Sequence, residues 1–169
     1  MELTPPSERR IRLLWARVPE RFLDALEADD GSVVENWVLG QRQTYAALQG
    51  AEDVDWSAFE GAVVTPVHSE SNDTVLLLAT EEDKSRFVQV CLGGGPVIDH
   101  GPDFQVALAR LLVGIWQLGE LSDEDLAKLG EQLGLTAAQT LAEALSHEDP
   151  QGFDLVAFLF ETVPSLLGS

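Results

Sequence analysis

The chain has 169 residues, 29 of them acidic and 10 basic, so its net charge is −19 with the three histidines counted neutral. A hydrophobic fraction of 45% leaves enough apolar material for a core, and one domain is the expected organisation at this length. So acidic a body repels the phosphate backbone that binders neutralise with Lys and Arg, which argues against nucleic-acid binding.

The charge is uneven. Residues 1–21 hold Arg9, Arg10, Arg12, Arg17 and Arg21 against Glu2, Glu8 and Glu20, a net of +2, and the remainder therefore carries 5 − 26, or −21. Two readings of this basic segment stand: a helix docked on its own acidic body, or an arm for an acidic partner. Cys91 is the single cysteine, which excludes an intramolecular disulfide and a Cys-rich zinc site. Met1 to Arg10 has no apolar run of the signal-peptide kind. The most apolar stretch, Phe104 to Gly119, is interrupted by Arg110 and is too short to span a bilayer. The expectation is a cytoplasmic protein with no membrane insertion.

In chain order, Ile11, Leu14, Trp15, Val18, Phe22, Leu23 and Leu26 predict a basic N-terminal helical segment over 1–28, bent or split at Pro19 and ended at Asp29-Asp30-Gly31. Val33 to Leu48 suits either a strand or a helix. Trp56, Phe59, Val63 and Val67, spaced 3, 4 and 4, form a helical stripe, although Val63-Val64-Thr65-Pro66 has strand composition. Asn72-Asp73 predicts a turn between that stripe and a strand over Thr74 to Ala79. The polar Glu81 to Lys84 predicts a second turn, and Arg86 to Leu92 a second strand, so the two strands form an antiparallel hairpin. After Gly93-Gly94-Gly95-Pro96, Val97-Ile98 opens a third short strand.

Beyond Gly101-Pro102-Asp103 the pattern is helical, from Phe104 through Leu118 with Gly119 as the stop. Ser122 is the expected N-cap of the next helix, whose first turn is acidic at Asp123, Glu124 and Asp125. Thr136 and Gln139 match a capping box for another, running to Ser146. Pro150-Gln151-Gly152 precedes a last helix with Phe153, Val156, Ala157, Phe160, Val163 and Leu167 on one face and Leu155, Phe158 and Leu159 on the other. A helix apolar nearly all round is deeply buried or shared with a second subunit. The whole reads as a single α+β domain, a small antiparallel sheet packed with several helices.

No catalytic constellation emerges. Cys91 lies in an apolar strand, where a thiol behaves as a small core side chain. His68-Ser69-Glu70 and Asp99-His100 are single pairs, and no two histidines share a helix at i, i+4. The glycine run lacks the Gly-Lys-Ser/Thr ending of a phosphate-binding loop. Thr136 to His147, the would-be recognition helix of a helix-turn-helix, contains no Lys or Arg. The expectation is no enzyme, no cofactor and no metal.

From Trp56 onward, Trp56-x-x-Phe59, the strand Val75 to Leu78, Arg86-Phe87-Val88-Gln89, and Leu126-x-x-Leu129 followed by Leu133-Gly134-Leu135 resemble the secretion-chaperone-like peptide-binding domains of the YbjN and TY-chaperone group. The resemblance covers residues 56–168. Val90 and Leu135 stand where that group has aromatics, and residues 1–50 have no counterpart. It implies a non-catalytic protein that binds a polypeptide client, often as a homodimer. Electrostatic steering by the acidic body suits a basic client. A client could be held on an apolar sheet face or added to an exposed strand edge. Alternation places Phe87, Gln89 and Cys91 on one face of the strand and Val88, Val90 and Leu92 on the other. Phe87, Val88 and Val90 on the strand and Phe158 on the last helix are the candidate partner-binding residues. Two other readings remain: an acidic immunity- or antitoxin-type inhibitor of a basic toxin or nuclease, and an oligomeric structural subunit.

Overall fold

Thr74–Glu81 and Lys84–Cys91 pair as a hairpin, because two β-rich runs are joined by a polar turn. In the computed structural model, which describes residues 2–28, 38–39, 41–70, 74–82, 84–118, 121–148, 153–154 and 157–168, six strands make one mixed sheet: β1 (Glu2–Leu3), β2 (Val38–Leu39), β3 (Val63–Glu70), β4 (Thr74–Glu81), β5 (Lys84–Cys91) and β6 (Ile98–Gly101). The order is β1-β3-β4-β5-β6, with β2 also pairing β3. Antiparallel β4 and β5 run in register from Thr74 opposite Cys91 to Glu81 opposite Lys84. Glu82 turns the chain in the left-handed region, at φ 44°. The turns expected at Asn72-Asp73 and at Asp29-Asp30-Gly31 lie outside the described residues.

The helical stripe expected from Trp56 to Val67 does not form. Trp56–Phe59 is one 3₁₀ turn, and Val63 to Glu70 is strand β3. The cause is burial on both faces: six consecutive residues of β3 are buried, so the alternation that marks a one-sided strand is erased. Pro66 is tolerated because it sits at an irregularity where the register against β4 shifts between Pro66 and His68. The ambiguous Val33 to Leu48 region resolves, where described, into both alternatives: β2, then helix α3 (Gln41–Gln49).

The N-terminal segment splits as expected into α1 (Pro6–Trp15) and α2 (Glu20–Glu27). Pro19 stands as the N-cap of α2. At the end of α1, Arg17 N–H donates to Leu14 O and Val18 N–H to Leu13 O, both at 3.0 Å. This is the paired closure of a Schellman motif, which places Arg17 in the left-handed position that Gly ordinarily fills; its φ is 63°.

The chain divides into two compact units, Met1–Phe104 and Gln105–Ser169. In the first, one face of the sheet packs Val64, Val75, Leu77, Val88 and Val90 with Leu48, Val54 and Phe59. On the other face Phe104 lies between Phe22 and Phe87, with ring centroids 4.9 and 5.2 Å away in edge-on geometry.

The second unit is helical, with α4 (Phe104–Gln117, entering from the first unit at Phe104), α5 (Asp123–Leu133) and α6 (Ala138–Leu145). Ser122 caps α5, its Oγ accepting from Asp125 N–H at 3.2 Å, and Gly134 ends it at φ 95°. The capping box expected at Thr136 and Gln139 is not made. Thr136 N–H donates instead to Gln105 Oε1 at 2.8 Å, and Gln139 Nε2 donates to Glu143 Oε1 at 3.2 Å.

The last helix opens as a π turn over Phe158–Thr162 and continues as α7 (Val163–Leu167). The wider winding rotates the expected stripe. Phe158 and Leu159, expected on one apolar face, are buried, whereas Phe160, expected on the opposite apolar face, is 58% exposed. No helix among the described residues is long and apolar enough to cross a membrane.

The close approach of α5 and α6 depends on Gly130. A Cβ there would lie 2.8 Å from Ala138 Cβ and 3.2 Å from Leu112 Cδ1. Gly130→Ala should therefore destabilise the protein by about 1–3 kcal/mol through overpacking, against a helix-propensity gain of only about 1 kcal/mol. An unchanged or raised urea midpoint would show that the helices separate freely.

Candidate functional site

The outer edge of β3 is the most polar buried region of the first unit. β1 pairs in parallel with Val63 and Val64, and β2 pairs antiparallel with Ser69 and Glu70. Between them the carbonyls of Pro66 and Val67 have no neighbouring strand among the described residues. Arg9 of α1 fills that gap: its Nε donates to Pro66 O at 2.8 Å and its Nη2 to Val67 O. The guanidinium is fully buried, and its Nη1 lies 3.6 Å from Glu27 Oε1. Burial pushes Arg9 below its ordinary pKa, while the charge of Glu27 draws it part of the way back.

Around it, Thr4 and Thr65 share a hydroxyl bond of 2.7 Å, and Tyr45 OH donates to Thr4 O at 2.7 Å. His68 is 2% exposed, packs edge-on to Phe22, and has neither ring nitrogen in a hydrogen bond. Glu70 Oε1, at 3.6 Å from its Nε2, is beyond hydrogen-bond reach. These groups hold an edge together.

The four sequence-predicted partner residues are all interior. Phe87 and Val88 are 0% exposed, and Val90 and Phe158 are also buried. The predicted alternation is correct: Val88 and Val90 join one core face while Phe87 meets Phe104 on the other. Both faces are covered, so the strand side chains form core and offer no apolar sheet surface to a client. Phe158 packs against Phe153 at 5.0 Å, and Phe153 against Trp116 at 5.3 Å. Edge pairing is closed along β3 as well, by β1, Arg9 and β2.

Other candidate chemistry is dispersed. Cys91 is a half-buried free thiol at the end of β5. His100 Nε2 lies 3.3 Å from Gln89 Oε1. No group of three or more metal-ligating side chains occurs among the described residues.

The feature missed in the sequence is where the charge goes. Arg10 reaches Glu20, Asp24 and Glu27 at 3.1, 2.7 and 2.9 Å. Arg86 bridges Asp99 and Glu81 at 3.1 and 3.3 Å, and Lys128 contacts Glu124 at 2.7 Å. Hydrogen bonds to Asp24 and to Asp99 hold Arg10 and Arg86, respectively, above the ordinary arginine pKa. A groove of about 450 Å³ between α5 and α6 is lined by Asp123, Glu124, Glu131 and Glu143, with Lys128 and Gln139 among them. Helix spacing in the sequence could have marked Glu124, Lys128 and Glu131 as one face of α5; the pairing with α6 could not be read.

No protein-family model matches the chain, and neither does any curated protein or solved structure.

Two outcomes follow for the β3 edge. Arg9→Met strands the carbonyls of Pro66 and Val67, and each buried unpaired group costs about 1–3 kcal/mol. Denaturant unfolding should show a loss of that size, with hydrogen exchange accelerated at Thr4 N–H, which bonds Val64 O; a variant as stable as the parent would refute the anchoring role. Second, burial raises the pKa of Tyr45, the chain's only tyrosine, above its ordinary value. Its stabilising contribution is complete below about pH 10 and lost as pH rises through the folded value. Phenolate absorbance should therefore appear later in the native protein than in the urea-unfolded chain. Coincident curves would contradict it.

Proposed function

We propose that the protein binds a basic polypeptide segment without catalysing a reaction, in a chaperone- or adaptor-like manner. One observation carries this reading: acids outnumber basic side chains by 19, and Arg9, Arg10, Arg86 and Lys128 are already engaged by carbonyls or carboxylates of the same chain, so most of the acidic charge has no basic side chain to offset it. The resulting field concentrates cationic partners and speeds their encounter. The α5–α6 groove gives it a concave focus, with carboxylates on both walls. Contact with the partner runs over helix surfaces, since the sheet faces are occupied by core. The weak sequence resemblance to peptide-binding secretion-chaperone-like domains supports the same class.

The test uses a fluorescently labelled synthetic peptide, amphipathic and Lys-rich, titrated with the full chain and read by anisotropy. Binding should weaken as salt rises. The double substitution Glu131→Lys and Glu143→Lys should weaken it by about tenfold or more, equivalent to about 1.4 kcal/mol, while circular dichroism stays unchanged. Absence of binding by the parent, or an equal affinity in the folded variant, would overturn the reading.

A further inference from the structure

We infer that Asp99 locks the outer edge of the sheet, holding β6 in a shape that cannot accept a further strand from another chain. The two ends of the strand order differ. On one side β3 is shared by β1 and β2, with Arg9 between them, whereas no described strand lies beyond β6. Unpaired backbone groups at such an edge are a template on which a second chain can add a strand. The lock removes that hazard, whatever the protein binds.

Asp99 uses both carboxylate oxygens. Oδ1 accepts from Gly101 N–H at 2.8 Å, and Oδ2 accepts from Arg86 Nη1 at 3.1 Å. The first bond joins a side chain to the amide two residues on, an Asx turn, and it occupies a donor that an added strand would need. The second fixes the carboxylate, because Arg86 is itself held. Its Nη2 donates to Ala58 O and to Glu81 Oε1, each at 3.3 Å. One guanidinium thus ties Asp99 both to β4 and to the turn that precedes β3.

Backbone shape works the same way. Asp99, His100 and Gly101 stand opposite only Phe87 and Val88, so β6 carries a bulge where its register against β5 shifts. Gly101 then leaves the strand at φ 77°. Pro96 and Pro102 flank the four residues of β6, and neither has an N–H with which to lengthen the pairing. The Asp99 side chain is half-exposed, and two identical edges brought together would set like charges near one another. The outer side of β6 stays open to side-chain contact and is closed to backbone pairing.

Asp99→Val removes both hydrogen bonds and installs a β-branched residue that favours extended backbone. Sedimentation velocity of the full chain should show this variant associating more tightly than the parent by about tenfold or more, with an unchanged far-ultraviolet circular dichroism. Glu52→Val makes the same change of charge and adds the same apolar group at an exposed loop position, and should sediment as the parent does. Amide exchange identifies the contact: residues 98–101 should gain protection with rising concentration in Asp99→Val and not in the parent. Asp99→Asn keeps the size of the side chain but loses the ion pair with Arg86, and it serves even if the valine variant fails to fold. Its Gly101 N–H should exchange severalfold faster than the parent's. An Asp99→Val chain that folds and associates no more than Glu52→Val, association without protection of residues 98–101, or unchanged Gly101 exchange in Asp99→Asn would each overturn the inference.

Discussion

The guanidinium of Arg9 is the contact on which the first unit depends. Strand β3 needs partners along its outer edge, and the described residues supply two short ones, β1 and β2, at opposite ends. The carbonyls of Pro66 and Val67 lie between them, on a stretch where Pro66 has no N–H to donate and the register slips. A planar fork of N–H donors can meet two adjacent carbonyls at once; a point-like ammonium cannot do so with the same geometry. Removing that charge from water is costly. Hydrogen bonds to two carbonyls and the nearby carboxylate of Glu27 offset the cost. The same contact fixes α1 against β3 and so determines which of its side chains face outward.

Coverage of both sheet faces constrains function. A strand whose side chains are core on each side cannot receive a client without unfolding, and an edge already closed cannot add a strand. Recognition is left to helical surfaces, their charge, and the outer side of β6, which ends the strand order. The arginines of the N-terminal segment divide their work: Arg9 is buried and structural, Arg10 binds the acids of α2, and Arg17, between the two helices, stays exposed. The basic segment is thus mainly docked on its own body, the first of the two readings its composition allowed.

Local signals in the sequence were legible where local chemistry decides. The β4–β5 hairpin follows from two β-rich runs about a polar turn, and α5 from Ser122 and Gly134. Pro19 marks the split between α1 and α2. Errors arise where distant groups decide. Burial of β3 on both faces removed its alternation and left a spacing that mimics a helix. Thr136 reads as a cap until Gln105, 31 residues earlier, takes its N–H. The π turn at Phe158–Thr162 has no composition signature, and it inverts the exposure of Phe160. Arg9 carries a charge, which suggests surface; its acceptors are backbone carbonyls 57 and 58 residues away. Phe87, Val88 and Val90 were recognisable as apolar strand residues, but their burial depends on segments that pattern alone does not dock.

That sequence separation has a temporal meaning. On the ribosome, α1 emerges well before β3, and at about 5–20 residues per second its carbonyl acceptors lag by roughly 3–12 seconds. Throughout that interval β1 has no strand to pair with, and Arg9 remains hydrated beside the apolar side of its own helix. The nascent chain must therefore complete its middle before its beginning can fold. The N-terminal segment is made early, and Arg9 must wait for β3 before its carbonyl acceptors exist.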